Sequence, residues 1–154
     1  MPTASLAVVF VLCTGVLAGV LVGVERAIVP MLSHLPRQTW SEVHRLLDPG
    51  FDPLMPRVNK VALAAGLGLA FLAPGSAAKV AFAVALAGVV GVALVSESRN
   101  VRMNRRIDAW AAAGEIPDDW QALRERWARA NRLRTAFAVL AFCAGLGGCW
   151  LAWA

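Results

Sequence analysis

Charged side chains are scarce in this chain, and the short motifs that hold common cofactors are missing. Asp, Glu, Lys and Arg make up 16% of its 154 residues, against about 25% in soluble domains. With 58% hydrophobic residues gathered into blocks, this excludes an ordinary soluble core and marks a polytopic membrane protein, a single domain by its length. The cysteines Cys13, Cys143 and Cys149 stand in apolar runs without CxxC spacing, so they read as small buried hydrophobes and not as a redox or metal pair. There is no Rossmann glycine fingerprint for flavin or NAD and no CxxCH for haem. The absence of an ExxH pair argues against a di-iron site of the usual bundle type.

What charge there is has a pattern. The net charge is +5 with a pI near 10.1, yet only Lys79 lies outside two basic clusters, Arg26 to Lys60 and Arg99 to Arg134. Positive loops stay in the cytoplasm, which accounts for the charge without nucleic acid; the clusters also lack the patterned aromatic and basic surface of a nucleic-acid binder.

Between and around the clusters lie four apolar runs: Leu6 to Val24, Met55 to Ala73, Ala77 to Val95 and Thr135 to Ala154. Nineteen residues of helix span about 28 Å, the thickness of the hydrocarbon layer. The first run has no basic n-region and no small-x-small cleavage site, so it is expected to stay. Its Gly15, Gly19 and Gly23 form a doubled GxxxG that suits either packing inside the protein or a homo-oligomer contact. Pro30 and Pro36 are expected to break the helix after it, and QTWSEVHRLL (Gln38 to Leu47) reads as an amphipathic interfacial helix with His44 at the edge of its apolar face. The second run carries Arg57, Asn59 and Lys60 in its first turns, which either snorkel to the surface or face a polar cavity between helices. Pro74, Gly75 and Ser76 make a tight turn. The expected fold is all-α: a four-helix bundle in the inner membrane with amphipathic cytoplasmic-side helices, both termini outside and both basic loops inside.

The segment from Asn100 to Arg134 is a polar island holding most of its own order. The third helix has no breaker at Ser96 to Arg99 and is expected to project past the membrane, carrying Asn100 and Asn104. Gly114 ends it, and Pro117 with Asp118 and Asp119 starts the next helix. There Trp120, Arg124, Trp127, Asn131 and Arg134 are spaced 4, 3, 4 and 3 and share one face. Two amides and two tryptophans on facing elements either line a pocket for a planar aromatic molecule or form a hydrogen-bond network that pins the loop.

NVxxNRRIDAW from Asn100, then PDDWxxLRxRWxxxNRLRT from Pro117 followed by an apolar span, resembles the anthrone oxygenase family of small four-helix membrane proteins; the Gly-rich first span followed by VPML is also similar. Arg102 stands where the family commonly has proline. The resemblance implies oxygenation of an anthrone to an anthraquinone, without flavin or haem. Such chemistry needs a base, an oxyanion stabiliser and a dry, oxygen-accessible pocket. On that footing His44 is the candidate base, Asn100, Asn104, Asn131 and Arg134 the oxyanion holders, and Trp127, Trp120, Arg57 and Asn59 the substrate wall. The expected partners are a small lipophilic substrate, molecular oxygen and the bilayer, with no nucleic acid.

Two alternatives stay open. Glu25, Asp52 and Glu97 end or precede spans at the same face as His44, and carboxylates with imidazole suit a non-haem metal; the other reading of Glu25 pairs it with Arg26, Arg57 or Arg99. The cofactor is therefore either none or such a metal. The chain also suits a non-enzymatic membrane binding or accessory subunit.

Overall fold

The computed structural model describes residues 2–51 and 53–154, and every regular element among them is helical. Helix α1 (Pro2–Gly23) runs through a π turn (Val24–Ile28) into the short α2 (Val29–Ser33). Helix α3 (Arg37–Phe51) leads to α4 (Leu54–Leu72), and α5 (Ser76–Val95) passes through a second π turn (Ser96–Asn100) into α6 (Val101–Ala113). A single long helix, α7 (Trp120–Trp153), completes the chain. Three continuous rods, Pro2–Ser33, Ser76–Ala113 and Trp120–Trp153, are long and apolar enough to cross a membrane. In hydrocarbon a backbone has no water to bond, so helices that satisfy their own N–H and C=O groups are the form such runs adopt.

The breaks follow local chemistry. Pro74 forces its predecessor Ala73 into extended backbone (ψ 144°), and Gly75 takes φ +78°, which a side chain would strain. Gly114 ends α6 at φ +69° in the left-handed cap that favours glycine. Pro30, by contrast, does not break its helix. The wide turn just before it, where the Val29 N–H bonds the Val24 carbonyl, shifts the register, and Pro30 falls in the first turn of α2, where a missing N–H is harmless. That rod ends instead at His34–Pro36. The helix expected from Pro117 begins at Trp120, after a turn at Asp118 and Asp119, and it does not end before the last apolar run but is continuous with it.

Helix α1 packs on α4 and α7, and α5 packs on α4 and α7. Lipid tails are as apolar as leucine, so close fit holds such helices together, and here the fit is phenylalanine into glycine. Phe10 of α1 is fully buried and meets Phe82 of α5 edge-on, with centroids 6.1 Å apart. A Cβ on Gly66 of α4 would lie 2.7 Å from the Phe10 ring, and one on Gly145 of α7 2.9 Å. Phe82 lies as close to Gly148 of α7, and Phe137 of α7 covers Gly88 and Gly91 of α5. The doubled GxxxG is split: Gly15 faces Phe142, whereas Gly19 and Gly23 are open. Cys143 is exposed and Cys13 and Cys149 are half-buried against the apolar core, contrary to the expectation that all three are enclosed; Cys143 lies on the outer face of α7.

Gly88→Ala places a methyl 2.8 Å from the Phe137 carbonyl oxygen and about as close to the Ala141 backbone, where nothing flexible can yield. It is expected to lower stability by about 1–3 kcal/mol, whereas Gly19→Ala, with nothing near it, is expected to be neutral or mildly stabilising. Thermal unfolding of both variants in detergent measures the contrast, and equal melting temperatures would refute it.

Candidate functional site at the polar end of the helices

Beyond the apolar packing, a second core forms where α2, α3, α6 and the first half of α7 meet, built from Leu32, Trp40, Met103, Ile107, Trp120, Leu123 and Trp127. Helix α3 packs against α6. Into this core α3 turns Trp40 and His44, one helical turn apart, both buried. His44 is 4% exposed. Its ring lies 5.0 Å from that of Trp127, edge-on, and 5.8 Å from that of Trp40. Neither ring nitrogen has a hydrogen-bond partner among the described residues. Burial disfavours the imidazolium and pushes the pKa from its ordinary 6.5 down to about 4, so His44 is neutral at neutral pH.

A hydrogen-bonded chain starts from the Trp127 ring that packs on this imidazole. Trp127 Nε1 donates to Asn104 Oδ1 at 3.1 Å, Asn104 Nδ2 donates to Asp48 Oδ1, and Asp48 stands one turn from His44 on α3. A second network adjoins it. Asn131 Nδ2 donates to Glu25 Oε2 at 2.8 Å, Arg132 Nε to Glu25 Oε1 at 3.0 Å, and Arg134 donates to Asn131 Oδ1 at 3.0 Å. Asp48 lies within electrostatic reach of Arg134, which joins the two.

Several buried polar atoms at this end have no partner among the described residues: both nitrogens of His44, both amide atoms of Asn100, Trp40 Nε1, Asn59 Oδ1 and Arg134 Nε. Each such atom costs about 1–3 kcal/mol relative to a bonded one. Native proteins keep few of them, and each calls for a structural or functional reason. Both π turns contribute, since Glu25 lies in the first and Asn100 in the second; wide turns of this kind cluster at functional sites.

The model of the anthrone oxygenase family matches residues 50–144. The chain belongs to the anthrone oxygenase family. No curated protein and no solved structure matched it. The family match spans α4 to α6 and most of α7, and so includes Asn59, Asn100, Asn104, Trp127, Asn131 and Arg134. Glu25, His44 and Asp48 precede it.

In this anthrone oxygenase family member the residues singled out by spacing divide. Trp120, Trp127 and Asn131 do form a buried face of α7, with Arg124 and Arg134 half-buried at its margin. His44, Asn100, Asn104, Trp127, Asn131 and Arg134 lie at one end of the helices. Trp120 is engaged on Trp40 (5.5 Å) and beneath the Arg124 guanidinium (4.7 Å). Of the polar residues that open α4, Asn59 turns inward while Arg57 and Lys60 stay exposed. Glu25 takes Arg132 and Asn131 instead of Arg26, Arg57 or Arg99. As for the metal reading, no three His, Cys, Asp or Glu side chains gather at ligand spacing among the described residues. Glu97 is exposed, and Asp52 lies outside those residues.

Sequence reasoning missed Asp48. Its position four residues after His44 was the available signal, since the two share a face of α3. It also missed Arg132 as the partner of Glu25, for which no local signal exists across so long a separation.

The depressed pKa of His44 has a consequence for stability. Unfolded His44 takes up a proton below pH 6.5, whereas the folded residue resists down to about 4; the unfolded state binds more protons in that window, so stability falls as pH drops from about 6.5 to about 4. The loss attributable to this residue is about 3 kcal/mol. Melting curves of the wild type and His44→Leu across this range should diverge in slope. Parallel curves would place the imidazole in solvent.

Proposed function

We propose that this chain is a four-span membrane oxygenase that oxidises a small aromatic, anthrone-like molecule at its cytoplasmic-side end without a bound cofactor. The α1, α4, α5 and α7 helices would be the spans, with both termini outside and α3 lying amphipathically at the inner interface. The observation that carries the reading is the neutral, unpartnered imidazole of His44, held between two indoles beside unpartnered amide atoms in a chain whose family is that of anthrone oxygenases.

The chemistry runs as follows. A ring nitrogen of His44 takes one proton from the ring methylene of the anthrone, leaving a phenolate-like anion. Imidazolium formation is costly in so buried a place, but the anion formed beside it compensates. The Asn100 amide and Arg134 Nε–H, both with free donor capacity, stabilise the oxyanion, and the Trp127 ring stacks on the substrate. The anion passes one electron to molecular oxygen, and the two radicals join through a new carbon–oxygen bond. The imidazolium returns its proton to the peroxide, and loss of water then breaks the oxygen–oxygen bond, takes the second methylene hydrogen and leaves the quinone carbonyl. One oxygen atom stays in the product, the other leaves as water, and oxygen is the sole oxidant.

An apolar cavity of ≈ 140 Å³ lined by Val29, Leu32, Trp40, Trp127 and Ala128, with Arg124 at its side, adjoins the two indoles that flank His44. It is smaller than the roughly 300–1,000 Å³ of ordinary ligand sites, so a fused-ring substrate enters only if side chains such as Arg124 swing aside.

A second reading is favoured by one observation. Asn104, Trp127 and Asn131 are bonded to protein neighbours, as expected of a network that pins the polar segment in a binding or accessory subunit. Oxygen consumption by the purified protein with an anthrone, before and after chelation and with elemental analysis for metals, separates the readings. We expect uptake that survives chelation, a fall on the order of 10²-fold or more in His44→Phe, and a comparable loss in Asn104→Ala with folding retained. Uptake unchanged in His44→Phe would remove the base assignment, loss on chelation would favour the metal reading, and no uptake with any anthrone would favour the accessory subunit.

A further inference from the structure

Away from this site, charge of one sign converges across two helices. Arg99, Arg102 and Arg106 stand on the α5–α6 rod at intervals of three and four residues, and Arg126 and Arg129 face them from α7. With Ser98 and Met103 they line an open groove of ≈ 490 Å³. No carboxylate lines it. Arg129 has a loose, exposed pair with Glu125 at 3.5 Å, and Arg106 lies 5.6 Å from the centre of the Trp110 ring. Arg99, Arg102 and Arg126 have no ion-pair partner among the described residues.

Topology explains an excess of arginine on one side of a membrane, but not this segregation. Glu25 is bonded to Arg132, and Glu125, although it reaches Arg129 at 3.5 Å, lines the other cavity, so neither carboxylate lines the groove. Guanidiniums gathered in one concavity repel one another, and an anion among them relieves the repulsion. Each guanidinium presents a rigid fork that matches the oxygens of a phosphate. The depth of the groove identifies the source. Arg99 lies four residues beyond Val95, and Arg129 six residues before Thr135, about 6 and 9 Å along their helices from the ends of the apolar runs. That is headgroup depth, and the inner leaflet is where basic juxtamembrane clusters meet anionic lipid.

We propose that the five-arginine groove binds the phosphate of an anionic lipid headgroup, held between the α5–α6 rod and α7. Occupancy would clamp the two helices that carry Asn100 and Asn104 on one side and Trp127, Asn131 and Arg134 on the other. The proposal is independent of the oxygenase reading, because its readout is stability and not turnover.

The test is thermal unfolding of the purified full-length protein in neutral detergent with added phosphatidylglycerol, phosphatidylcholine or inorganic phosphate. With phosphatidylglycerol in about hundredfold excess over its dissociation constant, the melting temperature should rise on the order of 5 °C or more, and phosphatidylcholine should leave it unchanged. Arg102→Gln/Arg126→Gln should abolish the rise while melting normally without lipid, since both side chains are exposed. Arg26→Gln/Lys60→Gln, which removes equal charge elsewhere, should retain it. A rise in the Arg102→Gln/Arg126→Gln variant, an equal rise with phosphatidylcholine, loss of the rise in both double variants alike, or its reproduction by inorganic phosphate would overturn the lipid site.

Discussion

The contact on which the rest of the structure depends is the seating of α7 on α5, where the Phe137 ring lies over Gly91 and the Phe137 carbonyl and Ala141 close on Gly88. It brings α5 and α7 closer than any pair with side chains between them could come, and in lipid such close fit is what associates helices. Both helices are rigid rods that continue beyond their apolar runs. Their separation inside the membrane therefore sets the separation of their polar extensions, and with it the distance between Asn104 on α6 and Trp127 on α7.

That rigidity is what permits an array of buried polar groups at the far end. Unpartnered atoms of His44, Asn100 and Arg134 would destabilise a self-standing polar loop, which could rearrange to bond them. Here the apolar packing over-determines their positions, and the loop has little freedom to relax. The two π turns serve the same end. Each inserts a wider step just where a span gives way to polar sequence, re-aiming Glu25 and Asn100 inward while the helix itself continues.

The networks on the two sides differ in character. Glu25, Asn131, Arg132 and Arg134 are linked by hydrogen bonds and tie the end of the first span to the start of the last. The Trp127, Asn104 and Asp48 chain ends on the same helix face as His44, whose own nitrogens stay unbonded. The arginines facing the opposite side of α6 are segregated from both networks, so this end of the helices combines a bonded wall, an unpartnered imidazole and a cationic groove.

Much of this was legible in the sequence, and for identifiable reasons. Helix in hydrocarbon is dictated by local composition, so the apolar runs, the turn at Pro74–Gly75, the extension of the third helix through Asn104 and the cap at Gly114 can all be read locally. Periodicity alone placed Trp120, Trp127 and Asn131 on one face of α7, and recurrent motif text pointed to the family. What local pattern could not supply was anything decided by a partner distant in the chain. Pro30 fails to break its helix because of a π turn that no propensity encodes. Arg57 turns outward and Asn59 inward because of how α4 sits on its neighbours, and Glu25 finds Arg132, more than a hundred residues away. The neutrality of His44 belongs to the same class: its side chain is an ordinary imidazole in sequence, and only burial between Trp40 and Trp127, which the tertiary packing decides, removes the water that would have let it carry charge.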